Sequence, residues 1–293
     1  MRIILVHNTG AGDTVHNREW LVGLIQQNGH DVVYFAATDD WKSAADASVD
    51  LFVAAGGDGT VEDVARHVAG SSVPIGVLPL GTANNVANAL GLASTPIPEL
   101  VASWARGERR PFDTGRATGP EEMFRFIESV GVGLLAESIA EITEGGAEYV
   151  DQLSAANERI DAAIDVLRET LRRLEPVHVD LVLDGEPMSG DYLMLEVMNF
   201  GSAGPNLSLV PEGASADGLF DVVLVDDRHR IQLIDDLPLY RFGRHSAASL
   251  PVHRARHVTL TCKDCRLHLD DQLRAGQRQI DLTIERHALT FLV

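Results

Sequence analysis

Lysine is almost missing from this chain: Lys42 and Lys263 are the only two among 24 basic residues. Neither follows a glycine-rich loop, which excludes a P-loop NTPase, whose lysine reaches the nucleotide phosphates. There is no Val-Ala-Ile-Lys strand and no His-Arg-Asp loop, so a protein kinase is excluded as well. Cysteine is equally scarce. Cys262 and Cys265 are too few for a disulfide-dense secreted scaffold and point to a reducing cytoplasm. With only His268 nearby, the pair lacks the fourth ligand that zinc takes. It also lies at an expected turn between strands rather than at the helix start used by redox pairs. No run reaches the roughly 18 apolar residues of a membrane-spanning helix. Residues 1–6 are apolar but short, and read as a first strand rather than a signal peptide. Positive charge is in deficit too. A net charge of -19 repels nucleic acid and anionic lipid surfaces. No nucleic-acid partner is expected, and contact with a membrane requires a local patch or an apolar edge.

What the chain has is a globular balance over 293 residues, 45% hydrophobic and 23% charged. Residues 2–6, 31–35, 50–55 and 73–78 read as buried strands. Helical patterns alternate with them at residues 17–28 (stopped by Gly29), 61–68 and from residue 84. That alternation predicts a parallel sheet covered on both faces, with ligands beyond the carboxyl ends of its strands. Near Pro111 the pattern changes. Residues 178–184, 191–198, 219–225, 257–262, 265–270 and 279–284 read as short strands of a mainly antiparallel domain. A helix with the stripe Ile160, Ile164, Leu167, Leu171 and Leu174 interrupts them, capped by Ser154 and followed by Pro176. The fold class is therefore α/β: an N-terminal three-layer α/β domain over residues 1–112 and a C-terminal β-rich antiparallel sandwich over residues 113–293. The final residues are expected to return to the first domain.

Three glycine-rich turns lie at the expected strand ends. In Gly56–Gly57–Asp58–Gly59–Thr60 the missing Cβ atoms let backbone N–H groups converge on an anion, and the loop opens a helix whose N-terminus favours phosphate. Asp58 adds a carboxylate suited to a magnesium ion on the phosphates, and Thr60 a hydroxyl. Taken alone, such a loop is equally a tight strand-to-helix turn. Asn8–Thr9–Gly10–Ala11–Gly12 lacks the third glycine of a dinucleotide fingerprint, so a Rossmann dehydrogenase fits poorly. His253, Arg254, Arg256 and His257 form a basic stretch that reads as a solvated strand edge or an anion contact.

Gly-Gly-Asp-Gly-Thr, then Pro79–Leu80–Gly81–Thr82–Ala83–Asn84–Asn85, resembles the catalytic domain of the diacylglycerol kinase and sphingosine kinase family of lipid kinases, its small soluble bacterial members included. The resemblance extends to the early Asn8 turn, to Met198–Asn199, and to the segment from Pro211 that ends Asp217–Gly218–Leu219–Phe220–Asp221. Gly-Gly-Asp-Gly is shared with NAD kinases and phosphofructokinases, but the downstream motifs favour the lipid-kinase branch.

The resemblance implies ATP and Mg2+ as cofactors and transfer of the γ-phosphoryl group to a hydroxyl of diacylglycerol or a related lipid. It implies nucleotide contacts from Gly56, Gly57, Asp58, Gly59, Thr60 and Thr82, with Asn8 shaping the pocket and Thr38 in a weaker match. A structural magnesium is implied at Asp217 with carbonyls of Leu219 and Ala214, although an ordinary Asp-capped turn explains those residues equally well. Asp113, in an Asp-x-Gly turn, is either a cleft residue or a turn former. The family's general base is the Glu of a late Asp-Gly-Glu turn. Here the triplet is Asp270–Asp271–Gln272, and a neutral amide cannot take the proton. Asp271 or Asp270 supplies a carboxylate instead, transfer proceeds with little base assistance, or the chain binds nucleotide and barely turns over. Asn85 also departs, standing where the family has Asp. A kinase for a soluble alcohol or NAD is the other alternative. The expected partners are a lipid substrate, transient membrane contact and a second copy in a homodimer. The expected location is cytoplasmic, peripheral to the membrane.

Overall fold

The computed structural model describes the chain apart from residues 12–14, 45–47, 121, 148, 154, 243, 245–249, 264 and 275–278. Gly12 and the expected cap Ser154 therefore lie outside the described residues. The chain divides into two compact units, Met1–Phe112 with His287–Val293, and Asp113–Arg286.

The first unit opens with β1 (Arg2–His7), whose residues Ile3 to Val6 are buried. Asn17 caps α1 (Arg18–Gln27) by accepting the Trp20 N–H at 3.0 Å. Gly29, at φ +80°, takes the left-handed conformation that ends a helix. β2 (Asp31–Ala36), β3 (Leu51–Gly56), α2 (Asp58–Val68), β4 (Ile75–Pro79), α3 (Asn85–Ala89) and α4 (Ile97–Ser103) follow. The strands are parallel in the order β4-β3-β1-β2. β3 is buried throughout, as a strand with helices on both faces must be. α2 turns Val61, Val64, Ala65 and Val68 inward at helical spacing.

β5 (Arg109–Thr118) carries the chain into the second unit. There follow β6 (Met123–Phe126), β7 (Ser129–Gly133), α5 (Leu134–Thr143), α6 (Tyr149–Gln152), α7 (Ala156–Arg173), β8 (Val177–Leu183), β9 (Glu186–Pro187), β10 (Gly190–Tyr192), β11 (Met194–Met198), β12 (Ser202–Ala203) and β13 (Leu207–Ser208). β14 (Phe220–Val225), α8 (Arg230–Tyr240), β15 (Val252–Ala255), β16 (His257–Cys262), β17 (Leu267–Leu269), β18 (Gln272–Arg274) and β19 (Gln279–Leu292) complete it. One antiparallel sheet runs β15-β14-β11-β7-β17-β18, and β10, β8, β16 and the start of β19 form another. Alternate residues sort to opposite faces. Val130, Val132, Leu195, Val197, Val222 and Leu224 pack with Leu181, Val258, Leu260 and Leu282 in the sandwich core. Met194, Met198, Val223 and Val225 turn the other way, onto Leu134, Ile164, Leu167, Leu171, Leu233 and Leu237 of α5, α7 and α8. The end of β19 belongs to the first unit, where Phe291 pairs in parallel with Ile75.

The expected strand at 191–198 is two strands broken at Leu193, whose N–H bonds the Val225 carbonyl at 2.7 Å. Cys262 and Cys265, with Cα atoms 6.1 Å apart, are joined by a disulfide in the turn after β16. Among the described residues no helix is long and apolar enough to cross a membrane.

Candidate functional site

In the first unit three loops meet at the carboxyl edge of the sheet. The Asn8 N–H bonds the Ala55 carbonyl at 2.9 Å, and the Leu80 N–H bonds the Gly56 carbonyl at 3.0 Å. This ties the ends of β1, β3 and β4 together. Two glycines are dictated by space rather than by φ. A Cβ on Gly56 would lie 2.3 Å from the Thr60 hydroxyl, and one on Gly81 would lie 2.2 Å from the Gly57 Cα. The two loops touch backbone to backbone, which only glycine allows. Gly57 is the N-cap of α2 and contributes no side-chain cap, so the helix presents its N-terminal amides without a competing oxygen from its own cap residue.

Asn84, at φ +52°, locks the second loop. Its Oδ1 accepts the Gly81 N–H and its Nδ2 donates to the Gly81 carbonyl, both at 3.0 Å. The Asp58 carboxylate accepts the Val86 N–H at 3.0 Å and bonds the amides of Asn85 and Asn84 as well. Burial raises its pKa against those bonds. The acid of the loop is therefore a staple between α2 and α3. Thr60 is buried, Thr82 is half-buried and Thr38 is exposed after β2. Asn8 folds its Oδ1 onto the Gly10 N–H at 3.0 Å. Sequence reasoning passed over His7, which is buried with Nδ1 3.1 Å from the Tyr34 hydroxyl, and Arg18, which lies over the Tyr34 ring at 4.7 Å.

In the second unit, residues remote in sequence converge through backbone bonds. Asp113 Oδ2 accepts the Gly218 N–H at 2.8 Å. The Asn199 Nδ2 donates to the carbonyls of Asp113 at 2.7 Å and Ile127 at 3.0 Å. Asp270 Oδ1 accepts from the N–H groups of Ile127 at 3.1 Å, Glu128 at 2.8 Å and Ser129 at 3.3 Å. Asp113, Asn199, Asp217–Gly218 and Asp270 thus form one framework. Asp113 and Asp270 are buried and act on backbone; Asp271 and Gln272 are exposed. Gln272 Oε1 accepts from Arg274 at 2.8 Å. Of the late triplet, Asp271 is the exposed carboxylate. Glu128, whose Oε1 accepts the Gly204 N–H at 2.9 Å, went unnoticed, although an acid within Phe126–Ile127–Glu128–Ser129–Val130 was a visible signal.

The expected magnesium turn is differently arranged. Asp217 Oδ1 accepts the Leu219 N–H at 3.0 Å, and its Oδ2 pairs with Arg254. Both oxygens are engaged. Among the described residues no group of three or more His, Cys, Asp or Glu is placed to hold a metal ion. As placed, the Asp217 carboxylate faces a guanidinium, so it offers a divalent cation no open carboxylate there.

Residues 2–117 match the diacylglycerol kinase catalytic domain, and residues 144–290 match the YegS C-terminal NAD kinase beta sandwich-like domain. The chain belongs to the diacylglycerol kinase family. A diacylglycerol kinase of Bacillus subtilis is 29% identical over 211 residues, 71% of this chain and 66% of that protein. One from Mycobacterium tuberculosis is 27% identical over 274 residues, 89% and 85% of the two chains. A solved diacylglycerol kinase from Bacillus anthracis superposes with a TM-score of 0.71 at 16% identity, covering 99% of this chain and 96% of that one. An Archaeoglobus fulgidus NAD kinase solved with ATP gives 0.57 at 13% identity, covering 100% and 94%. At those identities the structures speak for the fold. Asn85 is buried at the start of α3.

Proposed function

We propose that the chain transfers the γ-phosphoryl group of ATP to a hydroxyl of a lipid such as diacylglycerol. The observation that carries this reading is the backbone contact of Gly57 with Gly81 at an N-terminus of α2 that no cap side chain fills. In this reading Gly57, Gly59, Thr60 and Thr82 hold the phosphates of the magnesium nucleotide, and Asn8 shapes the pocket. The acceptor oxygen forms the new O–P bond, the β–γ bridging bond breaks, and ADP leaves. Asp271, the exposed acid of its triplet, takes the hydroxyl proton. Asp270 does not compete for that role, because its oxygens serve the amides of residues 127–129.

A labelled-ATP panel offering diacylglycerol in mixed micelles, a soluble alcohol and NAD tests the acceptor. Labelled lipid is expected; a labelled soluble product without labelled lipid sinks the assignment. Asp271→Ala should then lower lipid phosphorylation about 10²-fold or more, the scale of positioned acid–base catalysis. The exposed amide of Gln272 favours a second reading, in which the chain binds nucleotide with little turnover. That reading requires Gln272→Glu to raise lipid phosphorylation strongly and Asp271→Ala to change little.

Membrane contact, in the same proposal, uses α8. Ile231 (68% exposed) and Leu239 (37%) on it, and Phe242 (65%) just past its end, present apolar side chains. Phe242→Ser is expected to weaken co-sedimentation with diacylglycerol-containing neutral vesicles while leaving ATP binding intact. Equal sedimentation of the two proteins would remove this face from the proposal.

A further inference from the structure

The turn leading into β14 holds its own cation. β15 pairs antiparallel with β14, and the register sets Arg254 directly across from Asp221. The Arg254 Nε lies 3.4 Å from Asp221 Oδ1, and its Nη2 pairs with Asp217. Asp221 is 5% exposed, with its other oxygen 2.8 Å from where a Cβ on Gly213 would be. A second guanidinium closes over the same turn: the Arg286 Nε is 2.8 Å from the position of a Cβ on Gly218, a residue at φ +78°. The basic stretch that starts on β15 is an exposed edge, and at Arg254 it also makes an anion contact within the chain, to the carboxylates of Asp217 and Asp221. The guanidinium is a planar fork laid across two carboxylates.

We propose that the Arg254 guanidinium is the built-in counter-ion of the Asp217–Asp221 turn and stands there in place of a divalent cation. Three features support it. Strand register brings Arg254 to this point, so its place does not depend on a flexible loop. Each Asp217 oxygen already has a donor, the Leu219 N–H on one and the Arg254 guanidinium on the other. A divalent ion would also meet the positive charges of Arg254 and Arg286, a repulsion that grows near the buried Asp221. The second unit then needs no divalent metal for its stability, whichever acceptor the chain phosphorylates.

Thermal unfolding of the full chain without nucleotide tests this, in EDTA and in excess MgCl2 at matched ionic strength. Wild type is expected to unfold at the same temperature in both. Arg254→Met should unfold roughly 3–6 °C lower in EDTA, because a buried acid loses its partner. A metal bound to the native turn would instead raise the wild-type midpoint with MgCl2. Such a rise, abolished by Asp217→Asn, overturns the proposal; a rise that persists in Asp217→Asn lies elsewhere on this acidic chain and agrees with it. Arg254→Met unfolding like wild type in EDTA also overturns it. If Arg254→Met does not fold, the wild-type and Asp217→Asn comparison still decides. The kinase assay is a separate readout, so failure here leaves the phosphoryl-transfer proposal standing.

Discussion

Gly81→Ala is expected to cost at least about 10²-fold in kcat/KM for ATP, the scale on which a displacement of an ångström in a positioning group acts. The new methyl would lie 2.2 Å from the Gly57 Cα and 3.0 Å from its nitrogen. Both are backbone atoms, so no rotamer change relieves the clash. The 80–85 loop must move off the start of α2, and the Asn84 bonds to Gly81 and the Asp58 bonds to the α3 amides move with it. Steady-state kinetics and calorimetric ATP titration measure the effect. Gly23→Ala is the matched control, since a Cβ there meets nothing within 4 Å in mid-α1 and should be neutral or stabilising by about 0.5–1 kcal/mol. Gly81→Ala binding and turnover within threefold of wild type would show that the two loops can part without consequence.

Glu196→Ala should destabilise the fold by about 3–5 kcal/mol in urea unfolding, the cost of breaking a buried ion pair by removing one partner. Glu196 is 0% and His268 2% exposed. The imidazole Nε2 lies 2.9 Å from the carboxylate and Nδ1 lies 2.8 Å from the Asp270 carbonyl. Gly131 makes room, since a Cβ there would sit 2.2 Å from Glu196 Oε1. Burial by itself lowers the His268 pKa, but Glu196 and Asp270 outweigh it and the net shift is upward. A pKa raised in the folded state contributes stability that is complete below the unfolded value of about 6.5, and that is lost as pH rises through the higher folded value. Wild type should therefore weaken from pH 6.5 into the alkaline range more than a Glu196→Leu/His268→Leu double variant, which replaces the pair with apolar volume. A parallel pH dependence for the two proteins would mean that His268 is not charged in the native state.

The parallel half of the fold was legible because β1, β3 and β4 are buried apolar runs, with glycines in or just after the ends of β3 and β4. The reading of residues 50–55 met a strand at Leu51–Gly56, and 17–28 met a helix at Arg18–Gln27 with Asn17 as its cap. The α/β and antiparallel sandwich division was also legible, from the change of spacing past Pro111. The strands Arg109–Thr118, Met123–Phe126 and Ser129–Gly133 were not, because they interleave Arg, Asp and Gly whose partners lie far along the chain, such as Glu285 against Arg125 at 2.7 Å. Helix Arg230–Tyr240 carries Pro238 inside it, which reads locally as a breaker. β19 continues past the expected end at 284 through polar residues and the left-handed His287, so its last apolar pair looks like a separate element. At the site, the glycine loops announced themselves by composition. The work of Asp58, Asp113 and Asp270 did not, because a carboxylate that grips backbone amides looks in sequence like one that awaits a metal or a proton.

Asp270 has a consequence for how variants of the late triplet can be interpreted. Its backbone is left-handed at φ +51°, and its N–H bonds the Ser129 carbonyl at 2.8 Å while its side chain gathers the amides of residues 127–129. Neutralising it removes an acceptor from a ring of donors and frees the loop before Asp271 as well. An inactive Asp270 variant is therefore a report on a broken hinge-pin, and only substitutions at Asp271 and Gln272 can speak about where the proton goes.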